Sequence, residues 1–328
     1  MSTGPVSKFK LFSKPKKNVV SAYSATDTSD APPPPDAVRY GWAGEEVAKK
    51  AWAAYADAFP NFFIAGQTEA TDGKRMVLWD FSQKVLGHHI PTFYQQIGDC
   101  VSMGAANAME YLQCVEIAKL GDHEKYRPIF QPYIYGISRV NIGKSAIRGD
   151  GSCGVWAAQG IREYGVIPAD EEGVPAYSGD IAREWGRKGP PANFINIGKK
   201  HLLKTTAKVT NYPMVRDALV NGYPVTVASN RGFRMNGSVQ GGKLWASPYG
   251  VWNHQMCIIG VDDDAKRPGC YIINSWGENA HGKPADDAPP GGFWVDADVI
   301  ESMVKQNDSF AFSQFDGFPE QDLDFVLI

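Results

Sequence analysis

The spacing of apolar residues changes once along this chain, and that change constrains the fold more than any other feature. In the first half they recur at three- and four-residue intervals, the period of a helix with one buried face. Val101, Ala105, Ala108, Leu112 and Val115 form one such stripe. It predicts a helix starting at Cys100 and buried along one side, with Asp99 as its N-cap. Similar patterns predict helices over Trp42 to Phe59, Val155 to Tyr164 before Gly165, and Met214 to Asn221 before Gly222, glycine being the usual helix-ending residue. Beyond that point short apolar runs take over, at 224–228, 255–261, 271–273 and 292–295, and these read as strands. Helices followed by strands predict an α+β fold with a helical lobe and a β-rich, barrel-like lobe.

The 328 residues suit a single two-lobed body with appendages. Residues 1–40 combine a basic patch (Lys8, Lys10, Lys14, Lys16, Lys17) with the run Pro32 to Pro35, and are expected to be a disordered arm. Residues 41–85 read as an N-terminal helical extension, a candidate for a removable pro-segment. The helical lobe is assigned to 86–210, the β-rich lobe to 211–312, and an acidic-aromatic strap to 313–328. With 43% hydrophobic and 21% charged residues, the chain as a whole is globular. A net charge of −3 argues against a nucleic-acid partner, which needs cationic surface. The sequence offers no 18-residue apolar run for a membrane span and no apolar run behind its basic start for a secretory signal.

Five cysteines (Cys100, Cys114, Cys153, Cys257, Cys270) cannot all pair within one chain, and none forms a C-x-x-C motif. A disulfide-poor, reduced setting is expected, cytoplasmic or assembly-associated, with one thiol free for chemistry. A thiol with a pKa near 8.5 is only about 3% ionised at pH 7, and a helix N-terminus or a nearby imidazolium raises that fraction. Cys100 has the first by its position. Among six histidines, His254 opens the apolar strand Met256-Cys257-Ile258-Ile259, whereas His88, His89, His123 and His201 have loop-like or charged neighbours and His281 lies in a Gly/Pro-rich loop. Asn274 ends a later strand, where its amide could hold an imidazole ring, and Trp276 follows it as a shield from water. Alone, Asn274 would read as a turn former.

Together, Gln95-Gln96-Ile97-Gly98-Asp99-Cys100, Asn253-His254-Gln255-Met256 and Asn274-Ser275-Trp276-Gly277 resemble the papain-like cysteine peptidases, with Cys, His and Asn in the same order. The likeness extends to Gly151-Ser152-Cys153-Gly154 as the glycine-containing edge of a substrate cleft and to Gly291-Gly292-Phe293-Trp294 as a closing strand. The resemblance implies a papain-like two-lobed fold and an endopeptidase acting on polypeptides, with no metal or organic cofactor. Cys100 would form the acyl-enzyme, His254 would serve as acid and base, and Asn274 would orient it. Gln95 would supply an oxyanion donor, with Gln96 as the alternative, and Gly151, Ser152, Cys153, Gly154, Asn253 and Trp276 would line the substrate path.

The sequence also departs from that pattern. Position 94, where the family usually carries its oxyanion glutamine, is Tyr; Val101 replaces the aromatic after the nucleophile; and Ile97 stands where Cys153 would find a disulfide partner. Asp99 would oppose a thiolate beside it unless its charge is spent on capping. These departures sustain a second reading, a catalytically weak or inactive papain-like module with an assembly role, meeting a protein partner through its arm or strap. Cys114, Cys257 and Cys270 read as inert core thiols, and Asp262-Asp263-Asp264 as a solvated turn rather than a calcium loop.

Overall fold

The computed structural model describes residues 34–59, 73–120, 125–263 and 266–315. Most of the expected basic arm, and the strap beyond 315, lie outside the described residues. The chain opens with α1 (Asp36–Arg39), α2 (Glu45–Tyr55), β1 (Arg75–Val77) and α3 (Trp79–Leu86). The helical lobe then runs through α4 (Cys100–Leu120), α5 (Gln131–Gly136), a π-turn at Ile137–Ile142, α6 (Gly154–Tyr164), α7 (Gly179–Lys188) and α8 (Ala192–Gly198). The strands follow: β2 (Leu203–Lys208), β3 (Val225–Phe233), β4 (Ser238–Gln240), β5 (Lys243–Trp245), β6 (Pro248–Asp262), β7 (Gly269–Ile273), β8 (Gly292–Asp296) and β9 (Phe310–Phe315). Helices α9 (Tyr212–Val220) and α10 (Ala297–Val304) interrupt them.

The strands form one sheet in the order β2-β9-β3-β6-β7-β8-β5-β4, with β1 added beside β6. All pairings are antiparallel except a parallel contact between β5 and β8 at Trp245 and Trp294. Strand β6 is the longest element of the sheet, and nine consecutive residues from His254 to Asp262 are buried. Helix α4 lies against it, which brings the helical lobe's first turn onto the middle of the sheet.

Three features differ from the sequence expectation. First, α4 is not buried along one stripe only. Ser102, Asn107, Glu110, Gln113 and Glu116 are as buried as Val101 and Leu112, because α3, α5 and the 126–129 segment enclose the helix's polar side. Glu110 accepts hydrogen bonds there from the Ile129 N–H and the Tyr126 hydroxyl, and Gln113 from the Arg127 N–H. Second, residues 34–40 of the expected disordered arm are ordered, since the body supplies partners for their backbone. Third, residues 313–315 of the expected strap belong to β9, where they pair with β2.

Residues 41–85 divide into unlike parts. Trp42 enters the cleft between the lobes. Helix α2 rests on α6, with the Tyr55 hydroxyl donating to the Ile142 carbonyl. The 75–86 stretch is built into the body: β1 pairs with the end of β6, and Trp79 is fully buried against Tyr271 and Trp294.

Candidate active site

The site gathers at the junction of α4, β6 and the loop after β7. Cys100 is the first residue of α4 and has no exposed surface. The N–H groups of Gln255, Gly41 and Val101 reach its thiol and favour the thiolate, yet burial outweighs them and pushes the thiol up to about 12. The Gln255 side chain clamps the two elements together by donating to the Val101 carbonyl at 3.0 Å. The helix start that carries the sulfur is thereby docked on the strand that carries His254.

The imidazole of His254 is buried, and its Nε2 lies 2.7 Å from Asn274 Oδ1. The Ser275 N–H also donates to Asn274 Oδ1 at 2.7 Å. With the amide oxygen on that side, Nε2 of His254 carries the proton and Nδ1 keeps its lone pair. Nδ1 makes no hydrogen bond of its own. The Trp276 ring lies against the imidazole with centroids 4.7 Å apart. Burial pushes His254 down to about 4, against the opposing pull of Asn274 and of the Arg39 carbonyl. In this arrangement sulfur and imidazole are both neutral.

Of the two candidate glutamines, Gln95 is at the site. Its Oε1 accepts from the Ser275 hydroxyl (2.6 Å) and the Trp276 indole N–H (3.2 Å), which turns its NH2 toward the cleft. Gln96 faces elsewhere, its Oε1 accepting from the Gly179 N–H. Asp99 does not spend its charge on capping: its carbonyl accepts from the Ser102 and Met103 N–H groups, while its side chain accepts from the Tyr177 hydroxyl at 3.0 Å. Burial pushes the Asp99 carboxyl up to about 8, so near neutral pH the group is largely protonated and its opposition to a thiolate is muted.

The cleft is filled by the chain itself. The NH2 of Gln95 donates to the carbonyls of Val38 (2.6 Å) and Arg39 (3.2 Å). The Gly41 and Trp42 N–H groups both donate to the Asn253 carbonyl, the Ser152 N–H donates to the Gly41 carbonyl, and the Ala43 N–H donates to the Ser152 carbonyl. Trp42 and Ser152 form a parallel bridge. The indole N–H of Trp42 reaches Asp308, a buried carboxylate that also accepts the N–H groups of Gly154 and Val155 at the start of α6. At Gly41 the walls are backbone: a Cβ there would stand 2.0 Å from the Gly98 carbonyl oxygen. Residues 38–43 thus leave the end of α1 and, extended from Tyr40, run past Gln95, Cys100, His254, Asn253 and Ser152 as a hydrogen-bonded segment.

Among the cleft residues expected from sequence, Asn253, Ser152 and Gly151 border this strand. Gly154 instead serves Asp308, Cys153 is a buried thiol, and Trp276 is fully buried beneath the imidazole and the Gln95 amide. All five cysteines are unpaired and buried. The sequence reading missed Trp42, Ser275, His281 and Asp308, each of which bonds directly to a site group. Asp262 and Asp263 are taken up by Lys243, Arg75 and Arg216. Among the described residues, no three His, Cys, Asp or Glu side chains are placed to hold a metal ion, and no helix is long and apolar enough to cross a membrane.

Neither a protein-family model nor a curated protein matches the sequence. Solved structures do match the fold. Xylellain, a cysteine protease from Xylella fastidiosa, aligns over 84% of this chain and 96% of its own, with a TM-score of 0.58 at 14% identity. The chain has a papain-like fold. Two further structures agree: digestive procathepsin L 3 of Tenebrio molitor larval midgut (81% of this chain, 79% of that one, TM-score 0.53, 13% identity) and proCathepsin B S9 from Trypanosoma congolense (87% of each chain, TM-score 0.55, 11% identity). At these identities the likeness establishes the α+β two-lobed architecture.

Proposed function

We propose that this papain-like chain is a cysteine peptidase kept latent by its own residues 34–43. The observation that carries this reading is the backbone between Val38 and Trp42: Gln95 donates to its carbonyls, the Arg39 carbonyl approaches His254, and the Gly41 N–H meets the Cys100 thiol. A nucleophile, a base and an amide donor all face one stretch of peptide, as acyl transfer requires.

With the strand displaced by a substrate and water admitted, the two neutral groups can become an ion pair. His254 Nδ1, the nitrogen left without a proton, takes the Cys100 proton, while Asn274 stabilises the imidazolium through Nε2–H. The thiolate attacks the scissile carbonyl. Gln95 and the Cys100 N–H then stabilise the oxyanion, an interaction worth about 3–4 kcal/mol per donor. The imidazolium protonates the leaving amine, and the same ring later activates water to release the acyl group.

The filled cleft also favours a second reading, in which residues 34–43 never leave and the body serves as a binding module. Iodoacetamide labelling at pH 6 separates the two. The peptidase reading expects slow labelling of Cys100 in the intact chain, rapid labelling in Trp42→Ala, and loss of the rapid phase when His254→Ala is added. Labelling of Trp42→Ala no faster than that of a free thiol would sink it. A peptide-library digest with Trp42→Ala then tests peptides against other amides as the substrate class.

A further inference from the structure

A second histidine is joined to the site through Asn274. The Nδ2 of Asn274 lies 2.8 Å from His281 Nε2, and His281 Nδ1 lies 3.3 Å from the Met235 carbonyl. Both histidines and the asparagine are essentially without exposed surface. The His281 ring is enclosed by Phe293, Trp276 and Trp252, at centroid distances of 4.6, 5.7 and 6.2 Å. With all three groups this deeply buried, each hydrogen bond constrains the next.

The constraint starts at a group with one possible role. A carbonyl only accepts, so the Met235 oxygen requires a proton on His281 Nδ1. A neutral ring then has a bare Nε2, and this acceptor holds the NH2 end of Asn274. Burial keeps His281 neutral, pushing it down to about 3, and the nearby His254 and Arg39 act in the same direction. The Asn274 oxygen is therefore turned toward Ser275 N–H and His254 Nε2. With its oxygen and nitrogen exchanged, Asn274 would set NH2 against the Ser275 N–H and present a donor to His254 Nε2. The His254 proton would then move to Nδ1, the nitrogen that must accept from sulfur.

We propose that His281 is a positioning residue that locks the Asn274 amide in one orientation and thereby holds His254 in the tautomer whose Nδ1 can take the thiol proton. The proposal rests on the peptidase reading for its consequence, but not for its structural content. It distinguishes His281 from a core filler, because a filler needs shape and no acceptor.

The test uses the full chain with ring-¹⁵N-labelled histidine at pH 7. The wild type is expected to show a protonated Nε2 on His254 and a protonated Nδ1 on His281. His281→Phe keeps a planar ring but removes the acceptor, and His281→Gln offers a carbonyl oxygen in its place. The Phe variant is expected to shift His254 toward the Nδ1-protonated form, and the Gln variant to restore the wild-type signature. In the Trp42→Ala background, the Phe change should slow Cys100 alkylation by about 10–100-fold, with recovery in Gln, the scale set by hydrogen-bond partners of metal-bound imidazoles. A His254 tautomer unmoved by the Phe change in a folded protein overturns the proposal. Intact tautomers with no accelerated alkylation in Trp42→Ala retire the peptidase reading and leave the positioning role standing.

Discussion

The indole N–H of Trp42 donates to Asp308 at 2.7 Å, across 266 residues of sequence, and both side chains are buried. This bond anchors the strand that fills the cleft. It differs from the segment's other hydrogen bonds to the cleft, which use main-chain groups of 38–43 that any peptide could offer.

Removing that anchor should open the cleft without altering Cys100, His254 or Asn274. A buried hydrogen bond to a charged acceptor contributes about 1.5–3 kcal/mol, equivalent to about 10–150-fold in an opening equilibrium. Trp42→Phe retains the ring and loses only the donor, so Cys100 alkylation should accelerate by at least about tenfold over the intact chain. Asp308 remains bound to the Gly154 and Val155 N–H groups in that variant. Equal alkylation rates in Trp42→Phe and wild type would show that the indole does not govern access.

The covered and open forms should also differ in their pH dependence. Burial pushes Cys100 up to about 12 and His254 down to about 4 in the covered chain, so neither ionises near neutrality. Alkylation of the intact chain should then rise about tenfold per pH unit between pH 6 and 9, following the thiolate fraction. In Trp42→Ala the sulfur and imidazole are hydrated and paired, and the rate should level off within that range. A plateau in the intact chain by pH 7 would mean the ion pair exists beneath the strand.

The residues that were readable in sequence are those whose signal is local. The Val101 to Val115 stripe, the closing Gly165 and the four apolar runs gave elements at positions where the structure has them. What escaped depends on distant partners. The polar face of α4 reads as exposed because Glu110 and Gln113 find their donors only when residues 126–129 fold back. The end of β9, residues 313–315, reads as strap, since its pairing with β2 joins segments about a hundred residues apart. The docking of residues 38–43 combines main-chain hydrogen bonds, which leave no sequence signature, with the Trp42 side chain, whose partner Asp308 lies 266 residues away. His281 lies seven residues from Asn274 and is brought back to it only by the loop between β7 and β8.

Asp99 predicts a pH-dependent stability that is separable from catalysis. Its folded carboxyl is pushed up to about 8 by burial, whereas an unfolded aspartate titrates near 3.9. The native state thus holds a proton that the unfolded chain releases above about pH 4. Asp99's contribution is fully present below that pH and is lost as pH rises through about 8. Asp99→Asn should gain in melting temperature relative to wild type as pH increases from 4 to 8. A difference that stays constant across the window would refute the buried, protonated assignment.

Arg139 controls the ledge that carries Ser152. Its guanidinium donates to the carbonyls of Gly186, Ile147, Gly149 and Gly151 and lies over the Tyr135 ring at 5.0 Å. A lysine ammonium cannot span that fan of acceptors. Arg139→Lys should therefore cost about 1–3 kcal/mol in denaturant unfolding, the scale of a buried polar group left unpaired. A loss below about 0.5 kcal/mol would place this change among ordinary surface substitutions and show that the ledge holds without the fan.

Trp79 sets a limit on how much of the N-terminal region can be removed. Its ring covers Gly260 of β6, where a Cβ would come within 2.8 Å of it, and the Leu78 N–H donates to the Ile259 carbonyl. Together with β1, this stretch closes one side of the sheet directly behind the His254 strand. Trp79→Ala should destabilise the chain by about 3–5 kcal/mol, the usual cost of deleting a large buried aromatic. If activation proceeds by cleavage, the new N-terminus should fall before Arg75, because a cut near residue 85 would remove both the edge strand and this ring. Mass spectrometry of the incubated protein locates the cut. An active product beginning after Leu86 would show that the sheet stands without them.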